Sequence, residues 1–320
     1  LEVFPMHSSS SRSQSPGSIP LSEQTNTWLL EAAERLGIPS GQARAFSRSA
    51  QLPLPGLTLQ LSLWQTSPVQ QWVVLGLLPR PKGLPVEVWS ELLLRSNCAI
   101  SAMSSSSVSL NDSGDAVLVL RLISQPQHQR EMLADELSHL LSVAESLVAG
   151  ATALQGNQSG APRPVTTAPR QGEHAEQQAQ AAMNREWHRP LLIAALQHLD
   201  IAAPPFEQIL TVGVIQANGR AYEVIADSDR QHLLISTLLP TSLNTATQRE
   251  RALLANLHLM MLTQTAVVLA PHGSALQARW NSTGLDGQAF AEWLLDFGQL
   301  AESFMHTSAI RPARNIAWTR

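Results

Sequence analysis

The side chains that could perform chemistry are few in this sequence, and none stands in a catalytic pattern. His188 and His198 lack a third residue at metal-binding spacing, so we expect them at surface or cap positions. His272-Gly273-Ser274 offers a Ser–His pair, but the same residue types are typical of a hairpin turn, which is the interpretation we prefer. The sequence has no Gly-x-Ser-x-Gly elbow, no phosphate-binding glycine loop and no His-Glu-x-x-His motif. We therefore expect no enzymatic activity, no cofactor and no metal.

Cysteine and charge content narrow the class of protein. Cys98 is the single cysteine, so no intrachain disulfide can form, and we expect a small core residue in a reducing cytosol. The formal net charge is −4, and the best basic cluster, Arg311-Pro312-Ala313-Arg314, is interpreted as a solvated tail. Nucleic-acid binding needs a basic face and is not expected. No uninterrupted apolar run reaches the roughly 18 residues of a spanning helix, so no membrane insertion is expected.

Two short segments of the first half have weakly similar counterparts, in the same order, in the second half. We call each such pair an echo. Leu93-Leu94-Arg95-Ser96-Asn97 resembles Leu253-Leu254-Ala255-Asn256, and Val143-Ala144-Glu145-Ser146-Leu147 resembles Leu300-Ala301-Glu302-Ser303-Phe304. The paired glutamates of the second echo are interpreted as solvated or interface residues. Similar spacing between the echoes in each half predicts two copies of one domain.

Hydrophobic periodicity predicts how the first copy is built. The leucines at 57, 59, 61 and 63 alternate with polar residues, as in a half-buried strand. The helix after Pro126 carries an apolar stripe. The segment 101–108 is serine-rich and is still expected to be a strand, joined to the next by turn residues 111–115. The predicted elements are helix 22–36, strands 57–63 and 72–78, helix 86–96, strands 101–108 and 116–123, and helix 127–154.

The second copy is predicted to repeat this order. Its elements are helix 184–199, strands 209–215, 221–226 and 232–237, helix 246–259, strands 266–270 and 275–280, and helix 286–306. The expected fold class is therefore α+β, with two tandem α-β-β-β-α-β-β-α domains. The predicted divisions are a disordered N-terminus that opens on an expression remnant (1–20), a first domain (21–154), a flexible linker (155–182), a second domain (183–308) and a C-terminal tail (309–320).

Tryptophan is spread through elements that are expected to be only half-buried. Any single tryptophan is expected to complete a core, but the whole set is too large for that, so part of it indicates an apolar partner surface. A free strand edge would also accept an extended segment by strand addition. The tryptophans concerned are Trp64, Trp72, Trp89, Trp187, Trp280, Trp293 and Trp318.

The order of elements resembles the class I type III secretion chaperones, the family of the chaperone of the translocated intimin receptor. The resemblance lies in 89–97, the hairpin around 112–115 and 133–147, and again in 253–256 and 294–304. It implies a bacterial cytosolic protein, associated with virulence, that has no enzymatic activity. Such a protein binds the N-terminal segment of type III effectors and keeps it extended and competent for secretion, with the secretion ATPase as a further partner.

The resemblance also implies which residues form two surfaces. The pairing surface of the domains would comprise Val88, Trp89, Leu92 and Leu93 with Leu253, Leu254 and Leu257. The effector-binding surface would comprise Trp28, Leu29, Leu59, Leu61 and Leu63 with Leu192, Leu196, Val212 and Val214.

Two departures from the family pattern bear on the architecture. Family members are usually single domains of about 130–160 residues, an ordinary domain size, and many are strongly acidic. Two copies in one chain would form an intramolecular pseudo-dimer, or would pair between chains as a homodimer, and both arrangements stay open. The competing class is a non-enzymatic adaptor or regulatory module of a secretion system, which would bind a folded partner.

Overall fold

The computed structural model describes residues 21–65, 71–123, 132–157, 187–201, 209, 212–227 and 229–306. Within these ranges the chain is a mixed α+β protein with seven helices and two five-stranded sheets. Every strand pairing in both sheets is antiparallel. This arrangement confirms the predicted α+β class and is compatible with two tandem domains.

Among the residues that the structure describes, the first half contains four helices and one sheet, in the strand order β1-β2-β3-β5-β4. Helices α1, α2 and α4 lie on one side of this sheet, where α2 contacts β1 and α4 contacts β5. The elements are α1 (Glu23–Arg35), α2 (Ser40–Ser49), β1 (Gln51–Leu54), β2 (Leu57–Gln65), β3 (Gln71–Leu78), α3 (Val86–Met103), β4 (Ser106–Leu110), β5 (Ala116–Ile123) and α4 (Met132–Asn157).

The second half has the same sheet topology, in the order β6-β7-β8-β10-β9. Helices α5 and α7 contact each other, and α7 also contacts β8. The elements are α5 (Arg189–His198), β6 (Val214–Ala217), β7 (Arg220–Ala226), β8 (His232–Leu238), α6 (Ala246–Thr263), β9 (Thr265–Ala270), β10 (Gly273–Asn281) and α7 (Gly287–His306). Identical strand order in the two halves is what a duplicated domain requires.

Local chemistry explains where several elements begin and turn. Ser22 caps α1, because its hydroxyl accepts a hydrogen bond from the Thr25 N–H. Thr245 and Gln248 form a reciprocal capping box at the start of α6. Asn218 and Gly219 both have positive φ, which is the geometry of a two-residue hairpin turn between β6 and β7.

The structure differs from the sequence-based element limits in several places. Helix α2 and strand β1 were not predicted, because Pro53 and a polar stretch obscure their periodicity. Helix α3 continues through Met103, so the predicted strand 101–108 is wrong in its first half and β4 begins only at Ser106. The predicted strand 209–215 is also wrong, since residues 209 and 212 are helical and β6 starts at Val214.

Helix α4 ends three residues beyond the predicted domain limit at 154. The rest of the predicted linker lies outside the described residues, as do the predicted N-terminal segment 1–20 and the tail 309–320.

Most of the core is one connected apolar cluster that draws on both halves. It includes Leu29, Leu59 and Trp89 of the first half and Leu196 and Phe290 of the second. A second, separate cluster lies on the other side of the sheets. Each sheet therefore has buried residues on both of its faces.

One stretch within the described residues, Met132–Gly156, is long and apolar enough to cross a membrane by length and composition alone. This is weak evidence, because the core helix of a globular domain passes the same test. Leu133, Leu137 and Leu140 of this helix are indeed buried in the main core. The expectation of no membrane insertion stays a prediction.

Candidate functional site

Two buried asparagines fix the middle helix of each half to the strand that follows it. The Asn97 amide donates to the Val108 carbonyl at 2.9 Å, and its oxygen accepts from the Val108 N–H at 2.6 Å. Asn256 makes the same pair of bonds with Val267, at 3.0 and 2.7 Å. Both asparagines are fully buried, and each bonds to the residue eleven positions further on. The Asn of the first sequence echo is therefore a structural anchor in both copies.

The same anchor connects the two halves. The Asn256 amide also lies 3.3 Å from the Val108 carbonyl of the first half. The Ser109 hydroxyl donates to the Leu253 carbonyl at 2.8 Å. Helix α6 of the second half thus packs against β4 and β5 of the first.

The reciprocal contact places α3 against β9 and β10 of the second half. The Gln277 amide donates to the Cys98 carbonyl at 2.8 Å, and the Cys98 thiol lies 3.6 Å from the Gln277 side-chain oxygen. Burial raises the pKa of the Cys98 thiol, and the nearby negative charge of Glu223 raises it further. A thiol with a raised pKa is a poor nucleophile, so Cys98 is best explained as an interface residue.

A charged contact borders this interface. Arg249 on α6 forms an ion pair with Glu91 on α3, with 3.0 Å between nitrogen and oxygen. The same guanidinium donates to the backbone carbonyl of Glu87 at 3.3 Å. Because Arg249 also bonds the Leu243 carbonyl in its own half, its side chain is held in place on both sides of the interface.

The second apolar cluster fills the space between the halves. Met260 and Met261 of α6 are almost completely buried in it. Methionine suits such a junction because its flexible side chain fills irregular gaps. The cluster comprises Val73, Leu75, Val117 and Val119 of the first half with Met260, Met261, Ala266, Val268 and Ala275 of the second, and Leu257 and Cys98 pack against it.

The predicted pairing helices are those that meet, but several predicted residues point elsewhere. Trp89 is buried and donates its ring N–H to the Gly114 carbonyl of its own half. Leu92 lies beside Gly150 of α4, also in its own half. Val88, Leu93, Leu253 and Leu254 belong to the main core or pack against it, and of the predicted set only Leu257 packs against the second cluster.

Part of each sheet face that contributes to this junction remains open to solvent. On β7, Tyr222, Val224 and Ala226 are buried, and the alternate residues Ala221, Glu223 and Ile225 are exposed. On β8, Leu234 and Ser236 are half-buried and Leu238 is exposed. We call this surface, made of Ala221, Glu223, Ile225, Leu234, Ser236 and Leu238, the second open face.

The corresponding surface of the first half has different chemistry. Its β2 residues Thr58, Gln60 and Ser62 are polar and uncharged, and they alternate with leucines that are buried or pack against the core. Trp64 is the extra residue of an irregularity between β2 and β3 and is 40% exposed. A bulge redirects a side chain, so Trp64 is available to a partner. We call Thr58, Gln60, Ser62 and Trp64 the first open face.

A charged cluster lies at one end of the second sheet. Arg279 on β10 bonds Asp227 at 2.7 Å and Asp229 at 2.6 Å. Burial alone would raise the pKa of Asp229, but hydrogen bonds from the backbone N–H of Gln231 and from His232 hold it below its usual value. Burial raises the pKa of Glu136 on α4, while the charge of Arg279 opposes that shift. The start of α4 therefore lies close enough to the second half for the charge of Arg279 to act on the pKa of Glu136.

The structure does not expose most of the residues predicted to bind an effector. Five of them are core residues and cannot contact a partner in this conformation: Leu29, Leu59, Leu61, Leu192 and Leu196. The prediction is wrong for these five because the sequence pattern identifies the apolar side of each element without showing what covers it.

The remaining predicted residues are more accessible. Trp28 is half-buried and stacks edge-on against Trp72, with ring centroids 6.3 Å apart. Leu63 and Val214 are half-buried, and Val212 is exposed.

Several residues of the observed surfaces were missed at the sequence level. Glu223, Ile225 and Leu238 form the second open face, while Met260 and Gln277 form the junction. Strand 221–226 was predicted, but both of its sides carry β-branched residues, so the pattern did not fix which side is buried. Nothing in the sequence near Gln277 indicates a contact with residue 98, which is 179 positions away.

No cluster of three or more His, Cys, Asp or Glu side chains suited to a metal ion occurs among the residues that the structure describes. Comparison with known proteins found no matching family model, no significantly similar curated protein and no significantly similar solved structure.

Proposed function

We propose that this protein is a non-catalytic tandem chaperone that binds the N-terminal segment of type III secretion effectors in the bacterial cytosol. The observation that supports the proposal most is the pairing of two like halves through α3 and α6, with an open sheet face left on each half. This arrangement suits a protein that holds a non-globular segment, since such a segment needs a large preformed surface to offset its ordering entropy.

The covalent connection has a consequence for this function. Two halves that belong to one chain meet at an effective concentration on the order of millimolar. A pairing interface that is weak between separate molecules would then persist while cargo binds and leaves. The two open faces differ in chemistry, so the cargo surface is asymmetric, and one chain holds one cargo segment in one direction.

The proposal is tested by co-expression with effector fragments. The tagged full chain is expressed with the first ~100 residues of candidate effectors and, separately, with their folded C-terminal domains. We expect stable one-to-one complexes with the N-terminal fragments only. Binding restricted to folded domains would contradict the proposal and favour the adaptor class, and no binding to either would exclude both.

Trp64 allows a sharper test of where cargo binds. Trp64→Ala should weaken binding of an N-terminal fragment about five- to tenfold, as truncation of an aromatic interface residue typically does, without lowering the unfolding midpoint. Leu285→Ala is the matched control, because Leu285 is similarly exposed but lies in the turn between β10 and α7. Equal affinities for both variants and the unaltered chain would place the cargo elsewhere.

A further inference from the structure

Glu223 is the one charged residue of the second open face, and Arg279 lies beside this face on β10, opposite Leu234. Glu223 lies opposite Val214 on β6 and Ser236 on β8. Its neighbours on the same side of β7 are Ala221 and Ile225. The Ser236 hydroxyl donates to the Glu223 carboxylate at 3.1 Å. In the part of the chain that the structure describes, no basic side chain forms an ion pair with this carboxylate.

The charge has no equivalent in the first half. The two asparagine-bound valines mark equivalent positions, and counting strand registers outward from them matches Gln60 of β2 with Glu223 of β7. The nearest acidic groups of the second sheet, Asp227 and Asp229, are already paired with Arg279. Glu223 therefore distinguishes the second open face both from its counterpart and from its surroundings.

We propose that the second open face sets cargo specificity by binding an extended segment in which a lysine or arginine is flanked, two positions away on either side, by aliphatic residues. The side chains of an extended segment alternate, so residues two apart meet the same surface. Aliphatic side chains would cover Ile225 and Leu238, and the cation between them would meet Glu223. This inference rests on the proposed chaperone function and assigns the chemistry of its cargo.

Loss of water from the Glu223 carboxylate on binding explains why a cationic segment should be preferred. A neutral segment laid on this face would cover the carboxylate without replacing its water, which is unfavourable. An acidic residue would add repulsion, whereas a cation restores the lost interaction. Because the site is partly exposed, the expected preference is modest, about two- to fivefold, the range of exposed ion pairs.

Three labelled peptides test this inference on the full chain by fluorescence anisotropy. The fifteen-residue peptides are identical except for a central lysine, glutamine or glutamate, with valine two positions to either side. We expect the lysine peptide to bind about two- to fivefold more tightly than the glutamine peptide and the glutamate peptide to bind least. Raising the salt concentration should reduce the preference because it screens exposed charges.

Charge variants separate a local effect from net charge. Glu223→Gln should abolish the preference for lysine, and Glu223→Lys should reverse it in favour of the glutamate peptide. Glu292→Gln is the control, since Glu292 is an exposed carboxylate on α7 that accepts a bond from Gln288. It makes the same change in net charge and should leave the preference intact.

The outcomes distinguish this inference from the proposed function. Equal binding of the three peptides, binding of none, or a preference that survives Glu223→Gln would overturn the inference. If Glu223→Lys holds an effector fragment as tightly as the unaltered chain, the inference fails while the chaperone function stands. If the unaltered chain holds no effector fragment, the chaperone function itself fails.

Discussion

Asn97 and Asn256 show how one residue type can tie a helix to a sheet in both copies of a repeat. Each side chain uses its amide as donor and acceptor to one valine, so it satisfies two backbone groups that a helix packed beside a strand would leave buried and unpaired. No aliphatic side chain of similar size can do this. The anchor therefore explains the sequence echo by backbone hydrogen bonding rather than by chemistry on a ligand.

Replacing either asparagine with alanine should destabilise the fold by about 1–3 kcal/mol, the usual cost of leaving buried groups unsatisfied. We expect Asn256→Ala to cost more than Asn97→Ala, because Asn256 also contacts Val108 of the other half. Urea unfolding would measure the difference. Asn244→Ala is the control, since Asn244 is exposed and bonds only Ser242 among the contacts described. Unchanged midpoints for both buried variants would contradict the role of the anchor.

At the scale of elements, the close packing of α7 depends on small residues. A Cβ at Gly287 would collide with the backbone of Ala195 at 2.7 Å, so this glycine lets α7 approach α5. Further along, a Cβ at Gly298 would collide with the Tyr222 hydroxyl. Tyr222 is buried, and burial raises its pKa. Gly287 therefore fits α7 to helix α5, and Gly298 fits α7 to strand β7 of the sheet.

Gly298→Ala should lower stability by about 1–3 kcal/mol because it overpacks a buried contact. Adding Tyr222→Phe removes the colliding hydroxyl, so the double variant should be more stable than Gly298→Ala alone. Thermal unfolding of the unaltered chain, Gly298→Ala, Tyr222→Phe and the double variant forms a double-mutant cycle. Gly41→Ala on α2 has nothing within 4 Å and should be neutral or stabilising. A Gly298→Ala chain as stable as the parent would contradict this packing.

For the whole molecule, the main finding concerns the face of each sheet that contributes to the junction. The other half covers part of this face, and the rest is exposed to solvent. Helix α6 covers β4 and β5, and α3 covers β9 and β10, so each half completes the burial of the other. Strand β2 of the first sheet and strands β7 and β8 of the second keep their open faces. The pairing that creates a stable molecule therefore also leaves the two surfaces to which we assign cargo binding.

The pairing predicts a single chain in solution, with a mass of 34.7 kDa. If a protease site is inserted between residues 158 and 186, the two cut fragments should still co-elute. Met260→Ser with Met261→Ser should weaken that association, because both side chains are buried in the junction. Leu262→Ser is the control, since the adjacent Leu262 is 66% exposed. A mass of two chains would show that the halves pair between molecules instead, and separation of the unaltered fragments would show that the junction does not hold the halves together.

Local sequence signals account for much of the fold and for little of the candidate site. Alternation along β2 and the apolar stripe of α4 are short-range patterns, and each is recovered in the structure. Helix α2 and strand β1 were not predicted because a proline and a short polar run obscure their hydrophobic periodicity. The predicted binding leucines failed for another reason, since an apolar stripe marks burial and cannot tell a core from a partner surface.

The sequence by itself indicated the duplication and most of the elements, because matching segments and hydrophobic periodicity are patterns among residues close along the chain. Only the tertiary structure decided which sheet faces are covered. That choice depends on bonds such as Ser109 to Leu253 and Cys98 to Gln277, whose partners lie 144 and 179 positions apart. β3 is apolar on both sides, so its pattern fits either face inward. The second apolar cluster, which includes Met260 and Met261 of α6, buries Val73 and Leu75 and so resolves that ambiguity. On the corresponding side of the other sheet, α3 covers β9 and β10 and leaves Glu223 exposed.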